Sequence, residues 1–332
     1  MTTDTQQKEF LVERKEFLVD PQLSRLTITP IVYQDVWKMY KVHEAAMWHA
    51  NEIKPEKDLN DWAKLNDNQK HFIKMVLGFF ATSDLIVNEN LSQRFMREIT
   101  MTEARTFYAF QMMMENIHSE VYSNFIETYI SDKDERKHIL ESVKHVSSIS
   151  KKAAWAKKWI DSDNPLSERI VAFSIVEGIF FSGAFCSIYW LVEKGLMPSL
   201  AKGNDFISRD EGLHMAFAVL LYTKYIVNRM TQERFNEILI EAVALEIEFI
   251  NEALPCRLIG MNNSDMSIYI KYVADRLAKM LGYSPIYNCQ NPFDFMVRIS
   301  LKNKSNFFEE TPTEYTTTNP TGNDTDMYAD FQ

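Results

Sequence analysis

Glycine and proline are scarce, at 9 and 10 residues in a chain of 332. With so few breakers the sequence favours long helices and excludes a fold made of many short strands joined by tight turns. Cysteine is rarer still: Cys186, Cys256 and Cys289 are far apart and form no CxxC pair. That pattern excludes a disulfide framework and a zinc knuckle, and it fits a reducing, cytoplasmic setting. Basic charge is also in deficit. A net charge of -10 leaves no stripe to neutralise phosphates, so nucleic acid is not an expected partner. There is no glycine-rich phosphate loop, and the opening MTTDTQQKEF has no apolar run of the kind a signal peptide needs. One long apolar stretch does occur, from Ile170 to Val192, with Glu177 inside it. Its length would cross a bilayer. A central carboxylate is costly in lipid, however, and the neighbouring segments are charged on one face, so it reads as a buried core helix and no membrane is expected.

What is present is a series of helical patterns. They are expected at Tyr33–Ile53, Asn68–Arg97, Thr102–Tyr129, Lys133–Val143, Lys151–Ile160, Leu166–Lys194, Asn204–Asn228, Gln232–Glu252 and Met266–Leu281. Breakers mark several ends: Asn164-Pro165, then Gly195 to Pro198, then Pro255. No strand-type alternation of useful length lies between them. The expectation is an all-α chain in three parts: a mobile N-terminal segment over residues 1–30 with a short helical turn, a helical domain over 31–301, and a flexible polar tail over 302–332. The tail carries Phe307, Phe308, Tyr315, Tyr328 and Phe331, aromatic anchors of the sort a partner-binding peptide uses.

Two Glu-x-x-His segments fall inside expected helices, Glu115 with His118 and Glu211 with His214. Three-residue spacing puts both side chains of a pair on one face, where each can offer an oxygen and a nitrogen to the same ion. A third match, Glu135 with His138, sits in the charged run SDKDERKH and reads as solvated surface. The other two are headed inward. Glu115 and His118 share a segment with Phe107, Tyr108, Phe110 and three consecutive methionines, and His214 precedes MAFAVLLY. Two more acids stand in apolar surroundings: Asp84 in FIKMVLGFFATSDLIV and Glu177 in IVAFSIVEGIFFSGAF. A buried acid must be paired, hydrogen-bonded or protonated, so each alone reads equally as a structural acid or as a ligand.

Taken together, four helices supply four carboxylates and two histidines in the order Asp84, Glu115/His118, Glu177, Glu211/His214. That is the donor set of ferritin-like di-iron bundles, here with Asp in place of Glu on the first helix. Mixed carboxylate and imidazole donors suit iron or manganese better than zinc or copper. Tyr122 lies one turn after His118 and faces the same way. Phe181 and Phe185 follow Glu177 at about one and two turns, and Ile207 precedes Glu211 by one, so the three can wall the space around the metals. A tyrosine in a dry apolar cage beside redox metals can be oxidised; it can also be an ordinary core residue.

The stretches FFATSDLIVNENL, TEARTFYAFQMMMENIHSEVYS, VAFSIVEGIFFSGAF, ISRDEGLH, EALPCRLIGMN, ADRL and NPFDFM together resemble the class I ribonucleotide reductase small subunit, in its eukaryote-like form. They cover roughly 31–308. The resemblance implies that Asp84, Glu115 and His118 bind one iron and Glu177, Glu211 and His214 another, with manganese as the alternative metal. It implies a tyrosyl radical on Tyr122, relayed to a large subunit that reduces ribonucleotides to deoxyribonucleotides. It assigns Trp37, Asp210 and Tyr315 to the relay, with Asp210 linking the indole of Trp37 to His118. It also implies a homodimer and docking of the large subunit through the extreme tail, where Gln332 after Phe331 departs from a family that ends in Phe. Three other functions share the bundle: a di-iron oxidase or oxygenase, iron storage, which would favour a much shorter chain assembling into a cage, and a structural paralogue without cofactor.

Overall fold

The computed structural model describes residues 15–252 and 261–297. Among them there is no strand. Helix α1 spans Gln34–Ala45, α2 Leu59–Lys64, α3 Asp67–Asn90 and α4 Met96–Glu98. Helix α5 runs Thr102–Tyr129, α6 Lys133–Leu140, α7 Ser147–Ile160 and α8 Leu166–Ile175. Then come α9 Ser182–Glu193, α10 Pro198–Tyr225, α11 Gln232–Glu252 and α12 Asn263–Met280. Five-residue π turns, Leu91–Phe95 and Val176–Phe180, join α3 to α4 and α8 to α9.

Helices α3, α5, α8–α9 and α10 form the central bundle. Helix α1 lies across α5 and α10, while α7, α11 and α12 close the far side. Local sequence sets the ends. Asn66 and Gln69 exchange side-chain and backbone hydrogen bonds at the start of α3, satisfying donors the first turn leaves open. Helix α9 stops at a turn where Gly195 takes φ +68°, a left-handed conformation that costs glycine little. Pro198 opens α10, its missing N–H being no loss at a first turn. The carboxylate of Asp58 then accepts hydrogen bonds from the Ser199 and Leu200 amides at 2.7 and 2.8 Å and from the Tyr129 hydroxyl at 2.6 Å, tying α10 to α5.

The apolar stretch from Ile170 to Val192 is core: 94% of its most hydrophobic window is buried. The helix expected at Asn204–Asn228 begins earlier, at Pro198, and ends at Tyr225, and two further expectations need correction. Residues 15–30 are not a loose lead-in, because Leu18 is fully buried, Thr100 donates to the Leu18 carbonyl and Arg25 pairs with buried Glu103 at 2.6 Å. The helix expected at Tyr33–Ile53 ends at Ala45, and the chain then turns to a short 3-10 segment, Ala50–Glu52. The tail residues Phe307, Phe308, Tyr315, Tyr328, Phe331 and Gln332 lie outside the described residues.

Candidate metal centre

The four central helices deliver all six expected ligands to one buried region. Asp84 comes from α3, Glu115 and His118 from α5, Glu177 from the π turn after α8, and Glu211 and His214 from α10. None is more than 1% exposed. Their donor atoms fall into two groups, each within 4.8 Å: Asp84, Glu115 and His118 in one; Glu115, Glu177, Glu211 and His214 in the other. Glu115 belongs to both. Glu211 also reaches both histidines: its oxygens stand 3.1 Å from His118 Nδ1 and 3.1 Å from His214 Nδ1, while Glu115 lies 3.3 Å from the first and 2.9 Å from the second. Glu115 and Glu211 thus each reach both histidines, whereas Asp84 and Glu177 each belong to one group.

The close approach of these helices has a local cause. At Gly178, next to Glu177, an added Cβ would collide with the sulfur of Met215, next to His214. Glycine lets the π turn press against α10 and bring the two ligands together.

The electrostatics show what the site lacks. Burial, then the neighbouring Glu115, push Asp84 well above the ordinary carboxylate range; burial, then Glu211, do the same to Glu177. Burial is also the largest influence on Glu211 and pushes it upward, but His214 and His118 outweigh it and the net shift is downward. The histidines mirror this. Burial opposes their charged forms, yet Glu115 and Glu211 raise His214 to about 9, and Asp210 with the two glutamates raises His118 well above its ordinary value. Among the described residues, no lysine or arginine stands among the main causes of these shifts; the positive charge there is the protons on His118 and His214. Both oxygens of Asp84 and Oε2 of Glu177 are buried without a hydrogen-bond partner. Orphaned acceptors in such numbers are rare in a folded interior. Two divalent ions fit this donor set: they would balance four carboxylates and take the lone pairs the protein leaves unmet.

Outside the ligands, Gln111 donates to Glu177 at 3.0 Å and Glu115 at 3.3 Å, orienting both. On the far side of His118, Nε2 contacts Asp210 Oδ2 at 3.1 Å, and the same oxygen accepts from the indole of Trp48 at 2.7 Å. Trp48 also stacks on the His118 ring, with centroids 5.9 Å apart and planes at 17°. The tryptophan on Asp210 is therefore Trp48, not Trp37. Trp37 is half-buried on α1, tilted against Tyr40 at 4.9 Å. Eleven residues separate the two, close to three helical turns, so over an uninterrupted helix they would share a face. The chain leaves the helix at Ala45, and only Trp48 is swung onto Asp210. Arg209 fixes that turn by donating to the Ala46 carbonyl at 2.7 Å while reaching Asp210 Oδ1 at 3.3 Å.

Tyr122 is 2% exposed and its hydroxyl has no partner. Burial, then the carboxylate of Asp84, push its pKa well above the ordinary phenol value, so it is held as the neutral phenol. Phe80 stacks on its ring at 4.7 Å, and Phe181 and Phe185 pack on Phe80 at 5.8 and 5.0 Å. Ile207 is buried one turn before Glu211. Phe80, Gln111, Trp48 and a buried histidine, His43, are missing from the expected set. Phe80 precedes Asp84 by one turn and Gln111 precedes Glu115 by one, so the helical spacing that singled out Ile207 could have found both. The decoy behaves as surface: Glu135 pairs with Lys74, and exposed His138 stacks on His145.

A family model described as ribonucleotide reductase, small chain, matches residues 25–292. The chain belongs to that family. It is 53% identical over 303 residues to the ribonucleoside-diphosphate reductase small chain of Trypanosoma brucei brucei, covering 91% of this chain and 90% of that one. It is 51% identical over 300 residues to the small chain of Vaccinia virus (strain Ankara), covering 90% and 94%. Among solved structures, the ribonucleotide reductase Rnr4 homodimer from Saccharomyces cerevisiae matches with a TM-score of 0.78 at 36% identity, over 86% of this chain and 92% of that one. The fold is the ferritin-like helical fold of these small subunits. Membership makes the chain one component of an oxidoreductase, ribonucleoside-diphosphate reductase, and a small chain implies a large one as its partner.

Proposed function

We propose that this small chain holds two iron ions on Asp84, Glu115, His118, Glu177, Glu211 and His214, and that Tyr122 is the residue oxidised beside them. The orphaned, buried carboxylate oxygens carry this reading, because no group among the described residues pairs with them. Iron with dioxygen would supply one-electron oxidising chemistry there, and manganese suits the same donors. Tyr122 would lose an electron and its phenolic proton together and become a neutral phenoxyl radical. Because burial disfavours the phenolate, the two losses are coupled. Phe80, Phe181 and Phe185 exclude water and other reductants, and Ile207 adds to the apolar wall. Asp210 anchors His118 on one side and Trp48 on the other, which gives an electron a hydrogen-bonded route from the centre to the α1 turn. Tyr315 and the terminal aromatics would continue that route and dock the large chain, in a cytoplasmic enzyme whose small chain pairs with a second copy.

Turnover of a ribonucleoside diphosphate by the iron-loaded small chain with its large chain tests this. Tyr122→Phe should take up iron and lose turnover. Trp48→Phe should also lose turnover, whereas Trp37→Phe should retain it. Unchanged turnover in Tyr122→Phe would defeat the radical role, and loss in Trp37→Phe with retention in Trp48→Phe would defeat the route.

A further inference from the structure

The two ligand histidines are alike in what they face and unlike in what stands behind them. Each turns Nδ1 toward Glu115 and Glu211. With a metal on Nδ1, each would carry its ring proton on Nε2, because an imidazole that offers a lone pair at one nitrogen keeps its hydrogen on the other. Behind His118, Nε2 meets Asp210. Behind His214, Nε2 stands 3.3 Å from Nε2 of His43, a fully buried residue on α1.

We propose that His43 is the positioning residue for His214: its Nε2 accepts the His214 Nε2–H, holds Nδ1 toward Glu115 and Glu211, and makes the metal position served by His214 the weaker of the two. This rests on the dimetal reading above.

Three observations support it. First, the rings of Phe107 and Phe110 pack on His43 at 5.2 and 4.8 Å, while Asp210, His118 and Glu211 act on it electrostatically. Nδ1 of His43 is buried without a partner. An apolar side chain would fill that space without leaving a polar atom unmet, which costs about 1–3 kcal/mol. The imidazole is retained where its one described hydrogen bond is to a ligand. Second, if His214 donates from Nε2, His43 must accept there, and its own hydrogen then sits on Nδ1; a single pair of tautomers satisfies the contact. Third, the two partners differ in kind. Asp210 is an acid that also takes hydrogen bonds from Trp48 and Arg209, and a carboxylate behind a ligand histidine makes the imidazole a stronger donor. An imidazole behind a ligand histidine orients the ring but adds little negative charge. Two positions with the same histidine donor therefore differ through their outer partners.

The test is an anaerobic ferrous titration of the metal-free full chain followed by calorimetry, with thermal unfolding of each metal-free variant alongside. Wild type should take up two ions in unequal steps. His43→Ala should weaken the second, weaker step by roughly 10- to 100-fold, the usual effect of losing such a partner, and leave the first in place. His43→Gln, whose side-chain carbonyl can accept the same N–H, should restore the second step. Asp210→Asn should instead weaken the first and draw the two together. A His43→Ala titration matching wild type would overturn the proposal. So would loss on the tighter step, or equal loss on both steps in His43→Ala and His43→Gln with a lowered melting temperature, which is the signature of a packing residue. A wild-type chain that binds no ferrous iron would overturn the dimetal reading itself, an outcome separate from these.

Discussion

The interior holds two sets of buried charge that solve the same problem in opposite ways. Glu246 on α11 meets Lys152 on α7, with Oε2 and Nζ 2.5 Å apart; the ammonium also donates to the Phe180 carbonyl at 2.7 Å and lies over the rings of Phe79 and Phe249 at 3.8 and 4.0 Å. Burial pushes Lys152 down to about 8 and Glu246 up to about 6, but each charge has its partner inside the chain. Across the contact between Phe79 and Phe181, four carboxylates converge with no lysine or arginine paired to them among the described residues. The charge of the first set is balanced inside the chain, although Glu246 Oε1 is left without a hydrogen-bond partner. That of the second is not, and a buried charge that the fold leaves unmatched is the better guide to chemistry than burial or an unusual pKa alone.

The sharpest way to break this comparison is to remove one acid from each set. Glu115→Ala, which takes away a carboxylate common to both positions, should release both metals and abolish turnover; because it relieves repulsion among acids, the metal-free protein should melt no lower than wild type. Glu246→Leu should do the reverse, leaving metal content intact while destabilising the protein by about 3–5 kcal/mol, since an unpaired buried ammonium remains. The double change Lys152→Met with Glu246→Leu should recover most of that loss, by urea unfolding, because a buried pair is often replaceable by apolar groups at little cost.

Smaller effects sharpen the contrast. Ferrous iron at a hundredfold excess over its dissociation constant should stabilise the native chain by about 2.7 kcal/mol per independent site, and a chelator should reverse this. Glu115→Ala should show no such rise; the Lys152/Glu246 double variant should show all of it. The smallest effect is in pH. Between about 8 and 10.5 the unfolded chain keeps the Lys152 proton that the native state has lost, so this group makes stability rise with pH, by at most about 1.4 kcal/mol per unit. Between 4.5 and about 6 the native state holds the extra proton, on Glu246, and its contribution falls as pH rises. The double variant should lack both slopes relative to wild type.

The parts of this arrangement legible in the sequence are those set by spacing within one helix. Helix α5 has the expected bounds, and Glu115, His118 and Tyr122 follow from the turn of that helix. Asp84 and Glu177 could be singled out because an acid in an apolar run needs an explanation. What spacing cannot carry is contact between distant segments. Trp48 and Asp210 are 162 residues apart, and the choice between Trp48 and Trp37 turned on where one helix ends. His43 and His214 are 171 apart, and nothing in KVHEAAMW marks its histidine as facing the centre. The π turn at Val176–Phe180 was likewise hidden inside a uniformly apolar stretch, although it aims Glu177.

The central claim is that Tyr122 is oxidised by metals held on these six ligands, and electron paramagnetic resonance tests it most directly. The chain, loaded anaerobically with ferrous iron and then exposed to oxygen, should give a tyrosyl signal that Tyr122→Phe lacks although it binds the same iron. Iron uptake with no radical in wild type, or the same tyrosyl signal in both proteins, would contradict the account.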